Sequence, residues 1–61
     1  MIVLTRLNGV KFALNEEMIE IIQENPDTTV VLRNGNIYIV AESMKEVIAS
    51  CVNYKRAIHQ P

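Results

Sequence analysis

Two Asn-Gly pairs, Asn8-Gly9 and Asn34-Gly35, constrain this chain more than any other feature. Asn tolerates positive φ and Gly accepts it without steric cost, so Asn-Gly between β-prone arms is a strong short-range hairpin signal. Ile2 to Leu7 and Val10 to Leu14 flank the first pair, and Thr28 to Arg33 and Asn36 to Val40 flank the second. The spacing predicts two β-hairpins closed by type I′ turns, with both central residues at positive φ. The arms Thr28-Thr29-Val30-Val31-Leu32 and Ile37-Tyr38-Ile39-Val40 carry the stronger strand preference.

The C-terminal segment has helical periodicity. Ser43 is placed as an N-cap, and Glu46 three residues later completes a capping-box pattern. Apolar residues then fall at Met44, Val47, Cys51, Tyr54 and Ile58, in steps of three and four, and Ile48 and Val52 widen the stripe. Lys55 and Arg56 suit the C-terminal end of the dipole. The helix is expected from Met44 to His59.

Segment 15–25 reads two ways. Asn15 as a cap, Glu16 and Glu17 behind it, and Met18, Ile21 and Ile22 at helical spacing favour a short helix ending before Pro26. Ile19-Glu20-Ile21 also reads as strand leading through Asn25-Pro26-Asp27 into the next arm. A shift of 26 residues superposes Asn8-Gly9 on Asn34-Gly35, Phe12 on Tyr38, Leu14 on Val40, Glu16 on Glu42 and Met18 on Met44. Because the second copy ends in a helix, this self-similarity favours α+β in the order ββαββα. The alternative is a five-stranded meander followed by one C-terminal helix.

Size and charge bound the function. Sixty-one residues make one domain, 1–61. A chain this short buries only about 60% of its unfolded surface, and its single cysteine provides no internal disulfide, so homo-oligomerisation is expected to supply buried area. A net charge of −1 argues against DNA binding and disfavours RNA. The longest apolar runs, such as Met1-Ile2-Val3-Leu4, fall far short of a membrane span, and no signal peptide opens the chain, so a cytoplasmic location is expected.

Catalytic, metal and cofactor residues are expected to be absent. On a helix, Glu16, Glu20 and Glu24 would share one face and read as a solvated acidic surface. Cys51 and the one histidine, His59, stand eight residues apart, more than two helical turns, so Cys51 reads as a structural thiol. No P-loop, GxGxxG or HExxH pattern occurs. The expected chemistry is contact. Part of the Met44-Val47-Cys51-Tyr54-Ile58 stripe must pack on the sheet, but with Ile48 and Val52 seven apolar positions span more of the helix than one small sheet covers, so core alone and core plus a contact surface both stay open. Arg6 carries the charge hardest to explain by folding alone; it and the five stripe residues are the candidate protein-contact residues.

Ile-x-Leu-Thr-Arg-Leu-Asn-Gly at Ile2 to Gly9, Leu14-Asn15, Pro26-Asp27-Thr28, Asn34-Gly35, Val40-Ala41-Glu42-Ser43 with Glu46-Val47-Ile48, and Tyr54-Lys55 form a distinctive series. Together they resemble the small bacterial flagellar family called FlbD, also known as swarming motility protein SwrD, over nearly the whole chain. The resemblance implies a non-enzymatic accessory factor of motility that supports flagellar motor power through contacts at or near the stator. Flagellar motor or stator proteins are the partners it implies, and it allows a peripheral position at the flagellar base. The opening Met1 to Arg6 is also similar to the start of the carbon storage regulator family of RNA-binding dimers, with Thr5 and Arg6 near the RNA. That family's Gly-rich continuation is missing here. A structural oligomeric scaffold is the third reading.

Overall fold

The computed structural model describes the backbone of residues 1–59 and the side chains of residues 1–57. Strands β1 (Ile2–Thr5) and β2 (Lys11–Leu14) pair antiparallel. β3 (Ile19–Glu24), β4 (Thr28–Leu32) and β5 (Ile37–Val40) form a second antiparallel sheet in that order. Helix α1 (Met44–His59) follows, with the bounds its periodicity predicts. The expected α+β class, with two hairpins and a long C-terminal helix, is the observed one.

The turns differ from expectation. Only Gly9 (φ 91°) and Gly35 (φ 92°) take positive φ among the described residues, so Asn8 and Asn34 do not, and the turns are not type I′. Gly9 N–H donates to the Arg6 carbonyl (2.9 Å) and Arg6 N–H to the Val10 carbonyl (2.8 Å). That is a three-residue loop in which the third residue, a glycine, takes the left-handed conformation. The second turn repeats it: Gly35 N–H to Leu32 carbonyl (3.0 Å) and Leu32 N–H to Asn36 carbonyl (2.8 Å). Each Asn side chain accepts a bond from the backbone N–H two residues on, Asn8 from Val10 and Asn34 from Asn36, both at 3.0 Å. Asn is used here for its side-chain oxygen rather than for tolerance of positive φ.

The 26-residue similarity persists through these hairpins and then breaks. Leu14 and Val40 are both buried, and Phe12 and Tyr38 meet ring to ring at 5.2 Å. Beyond Leu14 the first copy makes one 3-10 turn, Glu16–Met18, and then β3, so its second half is strand as in the five-stranded reading. Glu17 stands where the second copy has Ser43, so no hydroxyl caps a full helix there. The Asn15 side chain accepts from Glu17 N–H (3.1 Å) and its carbonyl from Met18 N–H (3.0 Å), enough for one turn, and the β-branched Ile19, Ile21 and Ile22 pair with β4 instead. The helical acidic face of Glu16, Glu20 and Glu24 therefore does not exist. In the second copy Ser43 Oγ accepts from Glu46 N–H (3.2 Å) and Glu46 Oε1 accepts from Ser43 N–H (3.3 Å), the reciprocal capping box.

The two sheets join at one place. Arg6 and Val40 form an antiparallel bridge, and Ala41 N–H donates to the Thr5 carbonyl at 2.8 Å. The strands thus run β2-β1-β5-β4-β3. Inward side chains alternate along each strand and make the core: Ile2, Leu4, Leu14, Val30, Leu32 and Val40, with Val47 from the helix.

Candidate functional site

The junction of the sheets also holds a carboxylate paired with a strand end. Glu42 Oε1 accepts from Thr5 N–H (2.9 Å) and Oε2 from the Thr5 hydroxyl (2.8 Å). Burial alone raises the Glu42 pKa, but these two donors outweigh it and hold the carboxyl below its ordinary value. Beside it the Arg6 guanidinium lies 4.5 Å from the Phe12 ring centre and 5.4 Å from that of Tyr38. This cation–π stack explains Arg6 by folding, which the sequence reading left unexplained.

A cleft of about 280 Å³ opens next to the junction, at the start of α1. Glu24, Asp27, Glu42 and Glu46 all line it. Three of these carboxylates have structural partners: Glu42 as above, Glu46 in the capping box, and Glu24, whose Oε1 accepts Met44 N–H at 3.0 Å. Carboxylates at a helix N-terminus offset its orphan donors and partial positive charge. Acid chemistry here stabilises the helix start.

At the opposite end of the sheet pair, Glu16 is almost wholly buried and receives the Met1 ammonium at 2.8 Å. The hydrogen bond to Glu16 holds that ammonium above its ordinary pKa. A second cleft of about 350 Å³ includes Glu16, Arg33, Cys51 and Lys55. Burial pushes the Cys51 thiol up, Glu16 adds to the shift, and Lys55 opposes it. A protonated thiol is a poor nucleophile. Among the described residues no group of three or more His, Cys, Asp or Glu could hold a metal ion. Among the same residues no helix is long and apolar enough to cross a membrane.

The profile of a family described as flagellar and swarming motility proteins, FlbD, matches residues 1–59. The chain belongs to the FlbD family. No curated protein and no solved structure matches it. The FlbD match takes in both hairpins, the junction and the whole of α1. The motif residues Pro26-Asp27-Thr28, Val40-Ala41-Glu42-Ser43 and Glu46, dispersed in sequence, line this one cleft together.

The expected contact residues divide. Arg6 is exposed at the rim, over its two rings. Val47 is fully buried, and Cys51 and Tyr54 pack partly buried against the core, so this row faces the sheets. Met44 is half-buried at the helix start, and the Ile58 side chain lies outside the described residues. The sequence left open whether this stripe is core alone or core plus contact surface, and the burial of Val47, Cys51 and Tyr54 puts these three against the core. Among the described residues of α1 the large apolar side chains left exposed are Ile48 and Val52. Reasoning from sequence also missed the outer face of the three-stranded sheet, where Ile21, Ile37 and Ile39 are exposed. Its signal was legible: Ile37-Tyr38-Ile39-Val40 is apolar on both faces of a strand whose period is two.

Proposed function

We propose that this FlbD-family chain is a non-enzymatic accessory protein that supports flagellar motor power through a protein–protein contact at or near the stator, on the cytoplasmic side. Membership of the family supports a role in flagellar and swarming motility. The observation that carries the contact reading is the outward face of α1. Ile48 (46% exposed) and Val52 (43% exposed) stand one turn apart, with Lys45, Ala49, Lys55 and Arg56 exposed around them and no acid among these positions. An apolar centre with a cationic surround suits a partner surface that is apolar at its centre and acidic at its rim. The guanidinium of Arg6, exposed at the rim of the hairpins, is a second anchor.

The test is rotation under viscous load in cells lacking the protein, with flagella counted in the same cells. Normal flagellar number with reduced torque is expected, and Ile48→Glu should fail to restore it while folding normally. Reduced flagellar number would replace motor power with assembly or regulation, and unchanged number and torque would end the proposal. A folded Arg6→Glu protein that fully restores motility would remove Arg6 from the contact.

A further inference from the structure

A second exposed apolar surface differs from the helix face in charge. Ile21, Val31 and Ile37 are register partners across β3, β4 and β5, and Gln23, Thr29 and Ile39 form the next row on the same outer face. Ile37 is 61% exposed, Ile39 48% and Ile21 43%. None of the six is charged, in a chain that is 21% charged. Two acids adjoin the face in sequence: Glu20 occupies the bulge at the free edge of the sheet, and Glu24 is engaged with the Met44 N–H at the start of α1.

We propose that this outer face is where two copies of the chain pair, sheet against sheet, about a twofold axis. The absence of charge selects the occupant. In an isologous contact each residue near the axis meets its own copy, so any charge there would face a like charge. The α1 face, with Lys45, Lys55 and Arg56, would oppose cations if it met itself; the sheet face opposes only isoleucine, valine, threonine and glutamine. An anionic membrane surface or an acidic partner would gain no electrostatic attraction from it.

The area agrees. Three half-exposed isoleucines with Val31 make an apolar patch on the order of 300 Å², within the range of roughly 300–600 Å² covered by the largest patch on a typical monomer, which is often functional. A standard interface takes roughly 800 Å² from each partner, under a fifth of the 4394 Å² this chain exposes. Val31, on the middle strand, would stand at the centre between Ile21 and Ile37, with Gln23 on the edge strand toward the polar rim. Facing sheets pack at about 10 Å, so the pair would resemble a β-sandwich cut through its middle. Pairing would also relieve a core with seven buried apolar residues among the described ones and a single cysteine that is free. It leaves both the acidic cleft and the α1 face open to other partners.

Sedimentation equilibrium of the full chain, from about 1 μM to about 0.5 mM, tests this. A reversible dimer is expected, with Ile37→Lys/Ile39→Lys raising its Kd at least about tenfold while far-UV circular dichroism stays unchanged. Ile48→Lys, on the helix face, should leave the dimer intact. If the double variant does not fold, Gln23→Lys, polar and exposed from the start, should weaken the dimer at low salt. A wild-type chain monomeric to the highest concentration overturns the proposal. So does a dimer undiminished by every folded sheet-face variant, or one broken by Ile48→Lys alone. The motor assay is independent: loss of the dimer does not bear on the α1 contact, nor the reverse.

Discussion

Glu42 is the side chain through which the junction of the two sheets can be probed most directly. Its two oxygens accept from the Thr5 N–H (2.9 Å) and hydroxyl (2.8 Å), tying the end of β1 to the entry of α1. A hydrogen bond to a charged group in a protected site is worth about 1.5–3 kcal/mol, and Glu42 is only half-buried, so the lower end applies. Glu42→Ala removes both acceptors and should cost about 2–3 kcal/mol. Glu42→Gln keeps an oxygen for the Thr5 N–H, and its amide can donate to the hydroxyl, so about 1 kcal/mol is expected. The same contact sets a pH dependence. The folded carboxyl lies below its ordinary value of 4.5, so its stabilisation is complete above that pH and is lost as pH falls through the folded value. Urea unfolding at pH 7, and again in steps from pH 5 down to pH 3, measures both effects. The wild-type chain should lose more stability over that interval than the Ala variant. An Ala cost below about 0.5 kcal/mol, or parallel pH profiles, would refute the claim that this carboxylate holds the junction.

Three further predictions concern the turns, the core and the N-terminus. A Cβ on Gly9 or Gly35 would meet nothing within 4 Å, so substitution by Ala acts through backbone conformation alone. Each should cost about 1 kcal/mol, the left-handed penalty less the entropy Ala removes from the unfolded chain; unequal losses in urea melts would mean that the two turns are not equivalent. Val47→Ala should cost about 2 kcal/mol, because Val47 is the helix residue sealed completely into the core; a cost near zero would mean that α1 is not docked there. The Met1 ammonium, held above its ordinary 8.0 by Glu16, contributes stability that is complete below that pH and lost as pH rises through the folded value. Thermal melts from pH 7 to 10 should show this decline, and acetylation of the α-amino group should abolish it.

How far each feature could be read from the sequence depended on how local its physics is. The capping box needs only Ser43 and Glu46, three residues apart, and the amphipathic period behind it continues to His59; both bounds of α1 match the pattern. The hairpins were legible for the same reason, although Asn-Gly alone does not distinguish a two-residue from a three-residue loop. The bond Arg6 N–H makes to Val10, across the strands, decides that. Segment 15–25 was not legible. Its isoleucines satisfy both periods, and the choice of strand rests on partners at Thr28–Leu32.

The candidate site divides along the same line. The charges of Arg6, Glu24 and Glu42 are plain in the sequence, but only the fold brings Arg6 onto Phe12 and Tyr38, Glu24 to the amide of Met44, and Glu42 to Thr5. Likewise the periodicity of α1 named its apolar positions, while docking on the sheets decided which are sealed, Val47, and which remain open, Ile48 and Val52. The sequence by itself determined the elements, the capping and the class, because those follow from interactions within a few residues. Tertiary structure alone decided the junction, the acidic cleft and which apolar residues stay exposed, because each depends on residues that meet only after the chain has closed on itself.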